Sequence, residues 1–180
     1  MQSTLIDDKP RHMFALFDTD RNGVITAEDF QQHAERIVGQ FPDADPQKIQ
    51  EVRRQYAELW KELAEAADAD RNGQVDEAEF AVLLQGSNQK EAARTVGRRM
   101  AEFTLADTNG DGYLDRQEII PLLKGYGVQG SRVDTVMEIL DKDGDGRISS
   151  EEYAVMLRDV YMGTDPSSPG VALFGRLSDA

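Results

Sequence analysis

Fifteen carboxylates of this 180-residue chain recur at fixed places in four twelve-residue segments. The first segment supplies Asp18, Asp20, Asn22, Thr26 and Asp29 at positions 1, 3, 5, 9 and 12. The second supplies Asp68, Asp70, Asn72, Asp76 and Glu79, and the third Asp107, Asn109, Asp111, Asp115 and Glu118. The fourth supplies Asp141, Asp143, Asp145, Ser149 and Glu152, with Ser149 suited to acting through water. Oxygen donors crowded this way suit a hard divalent cation, and calcium takes roughly 6–8 oxygens at about 2.3–2.6 Å. Positions 1, 3 and 5 line one wall of a turning backbone. Gly23, Gly73, Gly112 and Gly146 stand at position 6 of each segment, where a sharp bend with positive φ would strain any residue carrying a Cβ. Position 7 offers its carbonyl, so Val24, Gln74, Tyr113 and Arg147 are free to differ as side chains. Position 12 must reach across the ion with two oxygens, and Glu79, Glu118 and Glu152 have that length.

The first segment departs from the others by ending on Asp29. A shorter acid moves inward or gives one oxygen instead of two, and fewer oxygens favour magnesium, which is content with six. The expectation is three to four bound Ca²⁺, with the first loop weakest for Ca²⁺ or most tolerant of Mg²⁺. Position 8 is apolar in every segment, as Ile25, Val75, Leu114 or Ile148. Positions 9 and 12 also read as N-cap and N3 of a following helix, a capping-box spacing. One such segment can also be explained as an acidic turn that starts a helix; four full-length copies with helical flanks cannot. The segments resemble the calcium loop of the EF-hand family, and the resemblance covers most of the chain. It implies that each position-8 residue joins a short antiparallel ladder between paired loops.

These loops need helices on both sides. Met13, Phe14 and Phe17 precede the first loop, and Phe30, Ala34, Ile37 and Val38 follow it. Asp45-Pro46 reads as an N-cap with Pro at N1, opening a stripe of Ile49, Val52, Tyr56, Leu59, Trp60 and Leu63 at the 3.6-residue period. Phe80, Leu83 and Leu84 come next, and Gly86-Ser-Asn88 breaks the chain. Val96, Met100 and Phe103 enter the third loop; Ile119, Ile120, Leu122 and Leu123 leave it. Ser131 opens a helix with Val133, Val136, Met137 and Leu140, and Tyr153, Met156 and Leu157 close the set. These apolar residues read as core. Pro121 removes a backbone hydrogen bond in an exiting helix, so a kink or early stop is expected there.

The fold class expected is all-α: four EF-hands in two paired lobes packed into one body, with short β-ladders between paired loops. The lobes are 1–86, holding loops 18–29 and 68–79, and 90–163, holding loops 107–118 and 141–152. The residues between them are too few for a free tether, so the lobes should touch. The tail 164–180 carries apolar Val171, Leu173 and Phe174 after a turn-rich stretch and is expected to dock on the body.

Composition excludes several functions. A net charge of −14 lacks the basic footprint that nucleic acid requires and argues against an anionic membrane surface. With no cysteine there is no disulfide, thiolate zinc site or cysteine nucleophile. No apolar leader or membrane span is legible, so a cytoplasmic, monomeric protein is expected. His12 and His33 lie beside the first loop, where packed or solvated roles fit. No nucleophile elbow or Walker-type loop appears, so no enzyme is expected. Arg outnumbers Lys 14 to 6, the balance of a high-GC bacterial coding sequence.

The stretched segment 30–67, Asp29 at the end of the first loop and the tail after Tyr161 resemble the sarcoplasmic calcium-binding protein and calerythrin family more than calmodulin. That resemblance implies lobes packed into one body. The second loop is often degenerate in that family but is complete here. Two functions follow: a calcium buffer or carrier, or a sensor that exposes an apolar groove and binds a target protein. Sensors present a Met-rich groove, whereas the six Met of this chain are scattered.

Overall fold

The computed structural model describes residues 9–86, 88–128 and 132–163. Among them are eight helices: α1 Lys9–Phe17, α2 Ala27–Val38, α3 Pro46–Ala67, α4 Glu77–Gly86, α5 Gln89–Ala106, α6 Arg116–Gly125, α7 Val133–Leu140 and α8 Ser150–Met162. Between them lie four two-residue strands: β1 Val24–Ile25, β2 Val75–Asp76, β3 Tyr113–Leu114 and β4 Ile148–Ser149. The expected tail contact and Ser131 fall outside the described residues.

Helix boundaries follow local chemistry. The Asp45 side chain accepts from Gln47 N–H at 2.7 Å, and Pro46 occupies the first turn of α3. At the α4–α5 junction Asn88 accepts from Lys90 and Glu91 N–H, while Glu91 reaches back to Asn88 N–H at 3.2 Å. Pro121 does not stop α6, which runs on to Gly125. Ile119, Leu122 and Leu123 on either side of it are buried, and their burial offsets the one missing backbone bond.

The ladders pair first loop with second and third with fourth. β1 and β2 run antiparallel with Ile25 opposite Val75, and β3 and β4 likewise with Leu114 opposite Ile148. All four of these position-8 side chains are fully buried. Phe17 stacks on Phe30 at 5.0 Å in one half of the core, and Phe103 meets Tyr153 at 5.6 Å in the other.

The two halves are joined along helix faces. α3 packs on α5, and α2 on α6. Arg98 on α5 donates to both oxygens of Glu62 on α3, at 2.7 and 3.0 Å. Beneath lies a buried polar cluster. Glu102 accepts from Tyr56 Oη at 2.7 Å, Tyr153 Oη at 3.0 Å and Arg99 Nε at 3.0 Å, and also from Tyr126. Burial alone would raise the Glu102 pKa, but the Arg99 charge and these donors hold it low. Burial pushes the Tyr56 and Tyr153 hydroxyls well above the usual range, so both remain donors.

Candidate metal centres

Each loop is already wound around its own acids. The position-1 carboxylate takes the N–H of the position-6 glycine: Asp18 from Gly23, Asp68 from Gly73, Asp107 from Gly112 and Asp141 from Gly146, all at 2.9–3.0 Å. The position-5 oxygen takes the N–H of position 7: Asn22 from Val24, Asn72 from Gln74, Asp111 from Tyr113 and Asp145 from Arg147. These bonds turn the side-chain oxygens inward. All four position-6 glycines have φ between +81° and +87°. Position 4 is also left-handed, and there the first two loops carry Arg21 and Arg71 at φ 59°. The sequence reading missed position 4, although the third and fourth loops mark it with Gly110 and Gly144.

Position 12 closes every loop in one way. Glu79 accepts from the N–H groups of Ala69 and Asp76, Glu118 from Thr108 and Asp115, and Glu152 from Lys142 and Ser149. Asp29 does the same with Thr19 and Thr26, both at 2.9 Å. The shorter acid is only 2% exposed. Both its oxygens nevertheless engage the loop. Position 12 thus ties the helix that follows each loop to the start of that loop.

Carboxylate oxygens converge within 4.8 Å in three loops: Asp18, Asp20 and Asp29; Asp68, Asp70 and Glu79; and Asp141, Asp143 and Asp145. The third loop has Asn109 at position 3, and no such trio forms among its described residues. Its Glu118 carboxylate also accepts from Thr108 Oγ at 2.9 Å. Its Asp107 and Glu118 are, however, more buried than the corresponding acids of the second and fourth loops. Inward-facing oxygens with no nitrogen or sulfur donor fit a hard divalent cation, and each trio places three negative charges where its charge is needed.

An EF-hand domain-pair model matches residues 99–158, and an EF-hand model matches residues 11–32 and 65–84. The chain belongs to the EF-hand family. Calcium-dependent protein kinase 33 of Arabidopsis thaliana is 29% identical over 147 residues, 81% of this chain but 25% of the kinase. The chain thus spans about a quarter of the length of the curated kinases it matches. Calerythrin of Saccharopolyspora erythraea is 22% identical across 91% of this chain and 96% of its own length. Among solved structures, a Streptomyces coelicolor calcium-binding protein superposes with TM-score 0.77 and 25% identity, covering 89% of this chain and 99% of the other. The amphioxus sarcoplasmic calcium-binding protein gives TM-score 0.69 at 20% identity, over 95% and 96% of the two chains. This EF-hand protein therefore resembles the calerythrin and sarcoplasmic calcium-binding proteins over nearly its whole length.

Two groups outside the EF-hand loops escaped the sequence reading. One is the Arg99–Glu102 pair. Its signal was present, since Arg99 falls on the apolar stripe of Ala92, Val96, Phe103 and Ala106, all buried. The other is Lys48, whose Nζ donates to the Asp107 carbonyl at 2.8 Å and ties α3 to the first residue of the third loop. No local pattern announces a contact 59 residues away.

Proposed function

We propose that this EF-hand protein is a calcium buffer or carrier. Calcium binding through EF-hands is its chemistry. The residues that would hold the ions are those of positions 1, 3, 5, 9 and 12, with the carbonyls of Val24, Gln74, Tyr113 and Arg147. Four ions would bring the net charge from −14 to −6. Relief of carboxylate repulsion then stabilises the loaded protein by linkage. Mg²⁺ competes best at the first loop, because Asp29 is the short acid.

The observation that carries the buffer reading is the interlobe lock. Tyr56 of one half is hydrogen-bonded to the fully buried Glu102 of the other, and opening the halves would strand that charge. The second reading is a sensor. It is favoured by a cavity of about 310 Å³ with apolar walls that include Phe17, Phe30, Leu59, Phe80 and Leu84, and with Glu62, Glu65, Glu91 and Arg94 also lining it. In the buffer reading the tail 164–180, which lies outside the described residues, docks on the apolar surface of the body. Calcium titration with an apolar dye separates the two. A buffer shows calcium uptake with constant or falling dye binding, and deletion of 165–180 raises it. Dye binding that rises with calcium in the intact chain overturns the buffer reading in favour of the sensor.

A further inference from the structure

One cationic side chain of the C-terminal half, Arg147, reaches ligand positions of both paired loops. Arg147 holds position 7 of the fourth loop, next to the β4 ladder strand. Its Nη2 lies 3.3 Å from Asp145 Oδ2, and its Nη1 lies 3.7 Å from Asp111 Oδ2. Its guanidinium carbon stands 4.0 Å from the centre of the Tyr113 ring. Asp111 and Asp145 are the position-5 acids of the third and fourth loops, and Tyr113 is the position-7 residue of the third. One planar group therefore touches ligand positions of both loops and rests on an aromatic face that fixes its orientation. The first and second loops have Val24 and Gln74 at position 7, so neither carries a cation there.

We infer that Arg147 is a built-in counter-cation that competes with calcium for the position-5 carboxylates and so sets the affinity of the C-terminal loop pair. The inference rests on the calcium-binding reading. A dication entering either loop must take Asp111 or Asp145 from the guanidinium, and it must approach a like charge. In the ion-free protein the same guanidinium relieves repulsion between the two acids. Removing it therefore has opposite effects in the two states: the ion-free form loses stability and the pair gains affinity. A residue that merely held the fold would weaken both. Each contact is partly exposed, with 42% of the Arg147 side chain accessible. Exposed pairs are individually weak, and two together correspond to about threefold to tenfold in affinity.

The test is calcium titration of the full chain and of Arg147→Gln, followed by NMR at the amides of Gly23, Gly73, Gly112 and Gly146. Each donates to the first acid of its own loop, so the four loops report separately. The expected result is about threefold to tenfold tighter binding at Gly112 and Gly146, unchanged binding at Gly23 and Gly73, and a lower melting temperature in EDTA. The gain shrinks in ~1 M salt, where the screening length is about 3 Å. Arg147→Lys, which keeps the charge, stays nearer the original affinity. Unchanged or weaker binding at Gly112 and Gly146 overturns the inference while calcium binding stands. No calcium response at any of the four glycines in the unmodified chain overturns both.

Discussion

His33 sits against Tyr56 and Tyr126, with ring centres 5.4 Å from each, and is 2% exposed. Its role is packing. Burial, helped by the nearby Arg99 charge, lowers its pKa to about 3. The unfolded chain takes up this proton near pH 6.5. The folded pKa is the lower one, so the unfolded state binds more protons below about pH 6.5 and stability falls as pH drops toward 3. Above pH 6.5 this proton linkage adds no cost. At pH 5 the loss is about 2 kcal/mol. His33→Phe should lessen the drop in stability between pH 7 and pH 5 by roughly that amount. Urea unfolding of both proteins at both pH values measures it, and an equal drop in the two would refute the assignment. Asp29 is the other informative single residue. Asp29→Glu should raise the ratio of calcium to magnesium affinity at the first loop, on the order of tenfold. Calorimetry with and without millimolar Mg²⁺ gives that ratio, and no change would mean that the short acid already supplies both oxygens.

At the level of helices, the contact between α2 and α6 depends on one glycine. A Cβ at Gly125 would lie 2.9 Å from Ile37 Cα and 3.1 Å from Ile37 Cγ1. The nearer atom is backbone, so a helix must move. Alanine gains about 1 kcal/mol in helix propensity over glycine, whereas overpacking costs about 1–3 kcal/mol. With backbone as the nearest atom overpacking wins, and Gly125→Ala should destabilise by up to about 2 kcal/mol. Gly97, inside α5, has open space where its Cβ would stand. Gly97→Ala should therefore stabilise by about 0.8–1.0 kcal/mol. Thermal melts of the two variants should shift in opposite directions; a shared direction would mean that the α2–α6 contact is looser than described. The same level settles Pro121, because burial of Ile119, Leu122 and Leu123 before and after it outweighs one lost backbone bond.

For the molecule as a whole, the decisive feature is the charge buried between the halves. Glu102 is fully buried and Arg99 is 7% exposed. Removing one member of a buried pair strands the other, at a cost of about 3–5 kcal/mol. Glu102→Ala should lose that much stability and, with Tyr56 no longer tied across, split urea unfolding into two transitions. Tyr56→Phe is the milder test, at about 1–3 kcal/mol. A single transition and a loss below about 1 kcal/mol in Glu102→Ala would show that the joint between the halves does not depend on this buried charge.

What could be read along the chain is what depends on neighbours in the chain. The twelve-residue loops, their caps, the position-8 residues and the helix stripes are local, because loop winding and helical periodicity act over a few residues. Ile25 opposite Val75 follows from what the EF-hand resemblance implies for position 8. What folding alone settles involves partners far apart in sequence: Lys48 at the Asp107 carbonyl, Tyr56 at Glu102, Gly125 against Ile37 and Arg147 between two loops. The closure of the first loop on Asp29 belongs with them in part, since only the packed backbone shows that a shorter acid still reaches both amides. Repeats announce where oxygens gather. Which cation meets them first, calcium or the protein's own guanidinium, depends on how two loops are laid side by side.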